Sequence, residues 1–461
     1  MTAIGLDSAS LAMPKVPEPP LALLAHIPGT EGWPVVGSTL ALLADPKGEM
    51  ERMALRFGLV HRSRSFGFRS ISLLGPEANE FVLFDQAKIF SSAHGLNGML
   101  ERLFPRGLAL LDFDEHRLHR KALSVAFKTG PMKSYLESLN RGIAGGIAGW
   151  KSRSRDMLFH PAVKQLTLDL AAVSFLGAEL GPDVAKLKTA FTDMVAAIVA
   201  VVRKPVPGTR MARGVKGRAF IIDYFGRQID ARRASDGADI FTQLCKATTD
   251  DGALLAPREV VDHMSFLMMA AHDSLASSLT SFVWFLSKNR EWQDRLRAEI
   301  RSLGLGKGEP LPYERLDELP LTEMAYKESL RLNPPASLVS RCVMRDTEFA
   351  GYKLPAGSRV NVNMLFTHHM PELWPEPQKF DPLRFTDEAS RQRHKFAFAP
   401  FGGGAHMCLG LHFAYMQAKC FAYHFFSTTD VSVAPGYKPH WKLWPLPQPR
   451  DGLRVSLTQL A

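Results

Sequence analysis

The residues with the clearest chemical potential are Phe401-Gly-Gly-Gly-Ala-His-Met-Cys408-Leu-Gly410, which set one thiol between a glycine-rich stretch and an apolar run at 411–426. Glycines let backbone turn sharply and approach a flat ligand without Cβ clashes. A helix starting just after the thiol would supply unpaired N–H groups and a positive dipole end, both of which favour the thiolate. Such a thiolate suits a large metal complex. With Phe 29, Gly 35 and Cys 4 among 461 residues, the spacing F-x-x-G-x-x-x-C-x-G arises by chance in roughly one such chain in a thousand. A buried structural cysteine is the competing reading for Cys408 alone.

Three further patterns bear on that choice. Ala270-Ala271-His272-Asp273-Ser274 falls inside an apolar stretch. Two small residues let a flat ligand reach the backbone, and a carboxylate beside a hydroxyl could carry protons; a polar edge on an ordinary helix is the plainer alternative. Glu328 and Arg331 stand one helical turn apart and can pair, although Glu49 and Arg52 repeat that spacing by accident. Arg384, in Phe380-x-Pro382-x-Arg384-Phe385, could complete a buried Glu–Arg–Arg network pinning the thiol loop. His116, Arg120, Arg341 and His406 are isolated basic residues suited to cofactor carboxylates; singly, each reads as a surface charge.

The elements that must position these residues follow from periodicity and punctuation. Apolar spacing predicts a long helix over 257–288, with Pro257 in its first turn. Shorter helices are expected over 321–332 and 411–426, and short strands around 59–64, 70–74, 340–343 and 359–362. The Lys-Pro-Val-Pro-Gly break at 204–208 separates two more helices. This makes a mainly α fold with a small β region, in one large domain at 27–461, preceded by a loosely held tail at 1–26.

Composition excludes several classes. Hydrophobic residues at 46% and charged ones at 22% suit a protein with a substantial core. Four scattered cysteines without a C-x-x-C argue against a zinc module and fit a reducing cytoplasm. No apolar run is long enough for a membrane span. Net charge is +10 without a basic run of five, so nucleic acid is not expected. The clusters Arg117, Arg120, Lys121, Lys128 and Arg391, Arg393, Lys395 read as a solvated basic face or as a docking patch for an acidic protein.

Taken in order, AAHDS, E-x-x-R, F-x-P-x-R-F and F-x-x-G-x-x-x-C-x-G make the chain resemble a cytochrome P450, a soluble bacterial-type haem-thiolate monooxygenase, from about Pro28 onward. The resemblance implies haem b (iron protoporphyrin IX) between the long central helix and the Cys loop, with Cys408 as axial ligand. It implies Glu328, Arg331 and Arg384 as the structural network, and His116, Arg120, Arg341 and His406 as partners of the haem propionates. Ala270, Ala271, Phe401, Gly404 and Gly410 would make room for the ring, while Asp273 and Ser274 would deliver protons. Ser274 stands where the family usually has threonine, Ala271 where it has glycine, Leu383 where it has an acid and His116 where many members have tryptophan.

It also implies O2, a small lipophilic substrate, and electrons from a separate acidic ferredoxin or flavodoxin with its reductase, the enzyme being a monomer. The segments IPGTEGWPVVGST and Pro205-Val-Pro-Gly-Thr209 resemble the branch that oxidises sterols and retinoids, favouring an isoprenoid over a fatty acid. A peroxide-using or isomerising enzyme of the same fold, and a non-catalytic haem sensor, are the rival readings.

Overall fold

Helical and alternating apolar patterns in this chain build two main cores that adjoin at the thiol loop, beside a small third cluster of Trp374, Phe385 and Ala397. The computed structural model describes residues 16–34, 36–150, 156–177, 183–200, 202–306 and 308–460. The larger core is helical, and the smaller lies under a sheet; Ala399 belongs to the sheet core while Phe401 packs on the helical one.

The helices that frame the site are α1 (Phe113–Ser124), α2 (Thr129–Trp150), α3 (Phe159–Leu176), α4 (Asp183–Ile198), α5 (Arg210–Gly226), α6 (Pro257–Ser287), α7 (Arg290–Ser302), α8 (Pro320–Leu332) and α9 (Leu411–Thr428). The 31-residue α6 is the spine, roughly 46 Å long at 1.5 Å per residue. Pro257 occupies its first turn, and Glu259 accepts from the Ala256 N–H at 2.9 Å. It packs against α3, α5 and α8. The break at 204–208 separates α4 from α5.

Five strands form the largest sheet: β1 (Val60–Ser65), β2 (Phe68–Leu73), β3 (Phe90–Ser91), β4 (Leu338–Val343) and β5 (Arg359–Asn363), in the order β1-β2-β5-β4-β3. The β2–β5 pair is parallel and the other pairs are antiparallel. Val60, Ile71, Leu73, Val360 and Val362 alternate onto one face and fill the smaller core. The expected mainly α fold with a small β region is observed, with element ends within two residues of those read from periodicity.

Of the expected tail at 1–26, only residues from 16 on are described. Residues 1–15 lie outside the described residues. Most side chains of 16–26 are exposed, Leu21 and Leu23 among them, but three contacts tie the segment down: Leu24 is buried in the sheet core, Glu18 pairs with Arg69 at 3.2 Å, and the His26 ring bonds the Lys353 carbonyl at 2.9 Å.

Candidate active site

Cys408 is held by backbone geometry. Its N–H donates to the Phe401 carbonyl at 2.9 Å, closing the loop on itself. Gly402 (φ 70°) and Gly404 (φ 60°) adopt left-handed conformations, and a Cβ at Gly404 would strike the Leu83 carbonyl oxygen. The sulfur opens onto an internal cavity rather than packing in a core. Burial pushes the thiol's pKa up, while the Gly410 N–H and the Arg120 charge pull against it. The structural-cysteine alternative therefore fails on position: Cys245, Cys342 and Cys420 are buried, and Cys408 is exposed to the cavity.

That cavity has a volume of about 440 Å³ and lies between the middle of α6 and the thiol loop. Ala270, Ala271 and Ser274 line one wall; Phe401, Cys408 and Gly410 line the other. Most of the remaining lining is apolar, including Leu96, Phe175, Phe266 and Val339.

The four basic residues scattered in the sequence converge at one edge. His116, Arg120, Arg341 and His406 all line this cavity and also a neighbouring depression, of about 510 Å³, that includes Gly404. The His116 and His406 rings stack with centroids 3.8 Å apart. Burial, then the nearby arginine charges, lowers His116 to about 4 and His406 to about 2, so both rings are neutral donors or acceptors at pH 7. Burial likewise lowers Arg341 to about 10, leaving it charged. Two cations and two neutral imidazoles facing one edge suit a pair of carboxylates.

Glu328 and Arg331 form a buried pair, with Arg384 beside it. Arg331 Nε and Nη2 bind both Glu328 oxygens at 2.7 and 2.8 Å, and its other N–H groups reach the carbonyls of His368, Pro377 and Lys379. Glu328 also accepts from the Asp381 N–H at 2.9 Å. Arg384 stands farther off, at 3.5 Å from Glu328, and donates to the Glu376 carbonyl instead.

The two halves of AAHDS part company. Ser274 lines the cavity and bonds the Ala270 carbonyl at 2.7 Å, the i−4 pattern that loosens a helix. Asp273 does not line it. Its carboxylate meets Lys164 of α3 at 2.7 Å and lies 3.5 Å from the His272 ring. The His272 ring in turn contacts the hydroxyl of Thr167, which does line the cavity, at 3.3 Å.

Sequence reasoning missed several supports. His368 accepts the Ala399 N–H at 3.1 Å, and Asn79 donates to the Phe396 carbonyl at 3.0 Å, so both anchor the approach to the loop. Asp112 accepts from the Ser92 N–H at 2.7 Å and lies 3.9 Å from His406. No local pattern announces them. The expected basic patch at 391–395 needs correction: Arg393 lies 3.9 Å over the Trp374 ring and donates to the Arg384 carbonyl, so it is a packing residue. Arg391 and Lys395 are exposed.

The cytochrome P450 family model matches residues 27–445. The chain belongs to the cytochrome P450 family. A putative cytochrome P450 136 of Mycobacterium tuberculosis is 35% identical over 445 residues, covering 95% of this chain and 90% of the relative. The solved structure of retinoic acid-bound cyanobacterial CYP120A1 superposes with a TM-score of 0.85 at 30% identity, covering 97% of this chain and all of that one. An abscisic acid 8'-hydroxylase of Oryza sativa is 28% identical, covering 93% of this chain and 86% of the relative. This P450 is therefore a monooxygenase with haem as its cofactor. Its residues fit that group: small side chains on one wall, left-handed glycines behind the thiol, and carboxylate partners at one edge. Among the described residues no helix is long and apolar enough to cross a membrane.

Proposed function

We propose that this P450 inserts one oxygen atom of O2 into an isoprenoid-type lipophile, by hydroxylation or epoxidation, with residues 27–461 acting as one domain. The observation that carries the reading is the single thiol facing an apolar cavity whose edge holds four basic side chains. Cys408 would ligate the haem iron, His116, Arg120, Arg341 and His406 would hold the propionates, and Ala270, Ala271, Phe401, Gly404 and Gly410 would shape the slot. The haem, when bound, supplies the activation of O2; the protein supplies ligation, orientation and exclusion of water.

Proton movement falls to α6. Ser274 places a hydroxyl on the α6 wall of the cavity, bonded to the Ala270 carbonyl at 2.7 Å. Asp273 can exchange protons with solvent because its partner Lys164 is 41% exposed. The lipophile is supported by the apolar walls, and isoprenoid character by the retinoic acid of the cyanobacterial neighbour and the abscisic acid of the rice relative.

Electrons come from an acidic ferredoxin or flavodoxin, with its reductase, docking on the exposed Lys128, Arg391 and Lys395. All four cysteines are free, as a cytoplasmic setting permits.

The reduced, CO-bound spectrum tests the ligand. The wild type should show the red-shifted thiolate band and Cys408→Ser should lose it while still binding haem; a band that survives in the variant overturns the assignment. A peroxide-driven reaction is the second reading, because Asp273 is turned to Lys164 rather than to the cavity. Turnover with hydrogen peroxide matching turnover with a ferredoxin system would decide for it.

A further inference from the structure

The second face of the sheet does not behave as its sequence suggests. Ser70 and Ser72 alternate with Ile71 and Leu73, and Ser63 lies between Arg62 and Arg64, a pattern ordinarily read as a solvated face. Yet Ser70 is 4% exposed, Ser72 is 3% and His61 is 1%. Leu42, Met50 and Met53 line the same space and roof this face over. The space between is a chamber of about 110 Å³.

Strand register makes its floor a polar row. His61, Ser72, Asn361 and Ser340 lie side by side on β1, β2, β5 and β4, and Ser63 pairs with Ser70 one step along. Among the described residues the Ser63, Ser70 and Ser72 hydroxyls have no hydrogen-bond partner. Their side chains line the chamber instead of being sealed in a core, so a polar group lodged there can bond them. The row also leads somewhere: Met99, Leu338, Ser340 and Trp444 line both the chamber and the cavity that holds Cys408.

We propose that the chamber binds the uncharged polar end, an alcohol or ketone, of an elongated lipophile whose hydrocarbon body extends into the main cavity. This rests on the lipophile reading above and adds the chemistry of the far end. The two charges on the wall are already engaged. Glu49 pairs with Arg52 at 3.0 Å; Arg359 bonds the Gly95 and Asn97 carbonyls and lies 4.4 Å over the Phe68 ring. The serine hydroxyls and the Asn361 amide N–H, whose oxygen already accepts from Ser340 at 2.6 Å, can bond a neutral oxygen, whereas a carboxylate would find Arg359 already committed to backbone carbonyls.

The test uses the haem-loaded full chain and equilibrium dialysis, with farnesol, farnesoic acid and farnesene, and with retinol against retinoic acid. The alcohol of at least one skeleton should bind about fivefold tighter than its acid, and than the hydrocarbon in the farnesyl series. Ser70→Ala combined with Ser72→Ala should weaken that alcohol about tenfold while leaving farnesene, the melting temperature and the reduced CO band unchanged. Ser63→Ala gives a milder second variant should the double variant fold poorly. A crystal structure of the complex should place the polar oxygen within hydrogen-bond distance of the serine row. Equal binding of alcohol and acid, indifference to the serine changes, or a chamber holding only water in the complex would overturn the proposal. If no lipophile binds, farnesene included, the lipophile reading itself fails; if farnesene binds as well as farnesol, only the chamber proposal does.

Discussion

Two carboxylates read from the sequence as chemically meaningful, Glu328 and Asp273, end up in ion pairs of opposite kinds. Glu328 and Arg331 are both 0% exposed. Every N–H of that arginine is used, between a bidentate carboxylate and three backbone carbonyls from 368–379. The Asp273 pair sits at an edge, with side chains 12% and 41% exposed and Lys164 offering a flexible ammonium instead of a fork. A closed pair holds structure because each partner leaves the other stranded if removed. An open pair is cheap to break, which is what a group that must pass protons requires.

Breaking the closed pair should have the largest effect. Arg331→Leu leaves Glu328 buried without its partner and should cost about 3–5 kcal/mol, abolishing cooperative unfolding or soluble expression. Arg331→Lys should not rescue it, because one ammonium cannot replace five directed bonds. Retention of a wild-type urea midpoint in either variant would erase the distinction drawn above.

Asp273→Asn should leave the urea midpoint almost unchanged and act on catalysis. Product formed per NADH should fall by roughly 10–100-fold, with a larger solvent isotope effect, as for loss of a general acid–base group. Unchanged coupling would make Asp273 a plain surface partner of Lys164.

Acid probes the closed side in a third way. His369 is lowered by burial to about 3, and burial holds His368, whose carbonyl serves Arg331, well below its ordinary value. Both are neutral when folded and titrate near 6.5 when unfolded. Their contribution is complete above pH 6.5 and is lost as pH falls toward 3, so at pH 5 His369 alone should cost about 2 kcal/mol. Unfolding curves at pH 7.5, 6 and 5 measure this, and His369→Gln should flatten the dependence. The smallest effect belongs to Lys164→Ala: at most about 1 kcal/mol, as for exposed pairs generally. A loss comparable to that of Arg331→Leu would show the open pair to be structural after all.

Much of this was legible beforehand, for physical reasons. The thiol loop, α6 and α8 carry their signals locally: glycines at left-handed φ, Pro257 in a first turn, Glu328 and Arg331 one turn apart. The convergence of His116, Arg120, Arg341 and His406 was legible only through resemblance, since they come from α1, β4 and the thiol loop. The direction of Asp273 was not legible at all, because Lys164 lies on another helix and nothing in AAHDS indicates which way a mid-helix carboxylate turns. The serine row failed for the reverse reason. Its alternation is correct for a strand, but whether water or Met50 and Met53 cover the hydroxyls is decided by a helix packed from elsewhere.

The anchoring of the thiol loop has a consequence for how the protein is made. Asn79 bonds the Phe396 carbonyl across 317 residues of sequence, and Gly404 rests on Leu83. No ribosome-bound intermediate short of residue 396 can close that wall, and contacts of such separation form slowly. The walls of the cavity therefore come together only after residue 396 has been made, and a complete slot for the prosthetic group exists only from that point on.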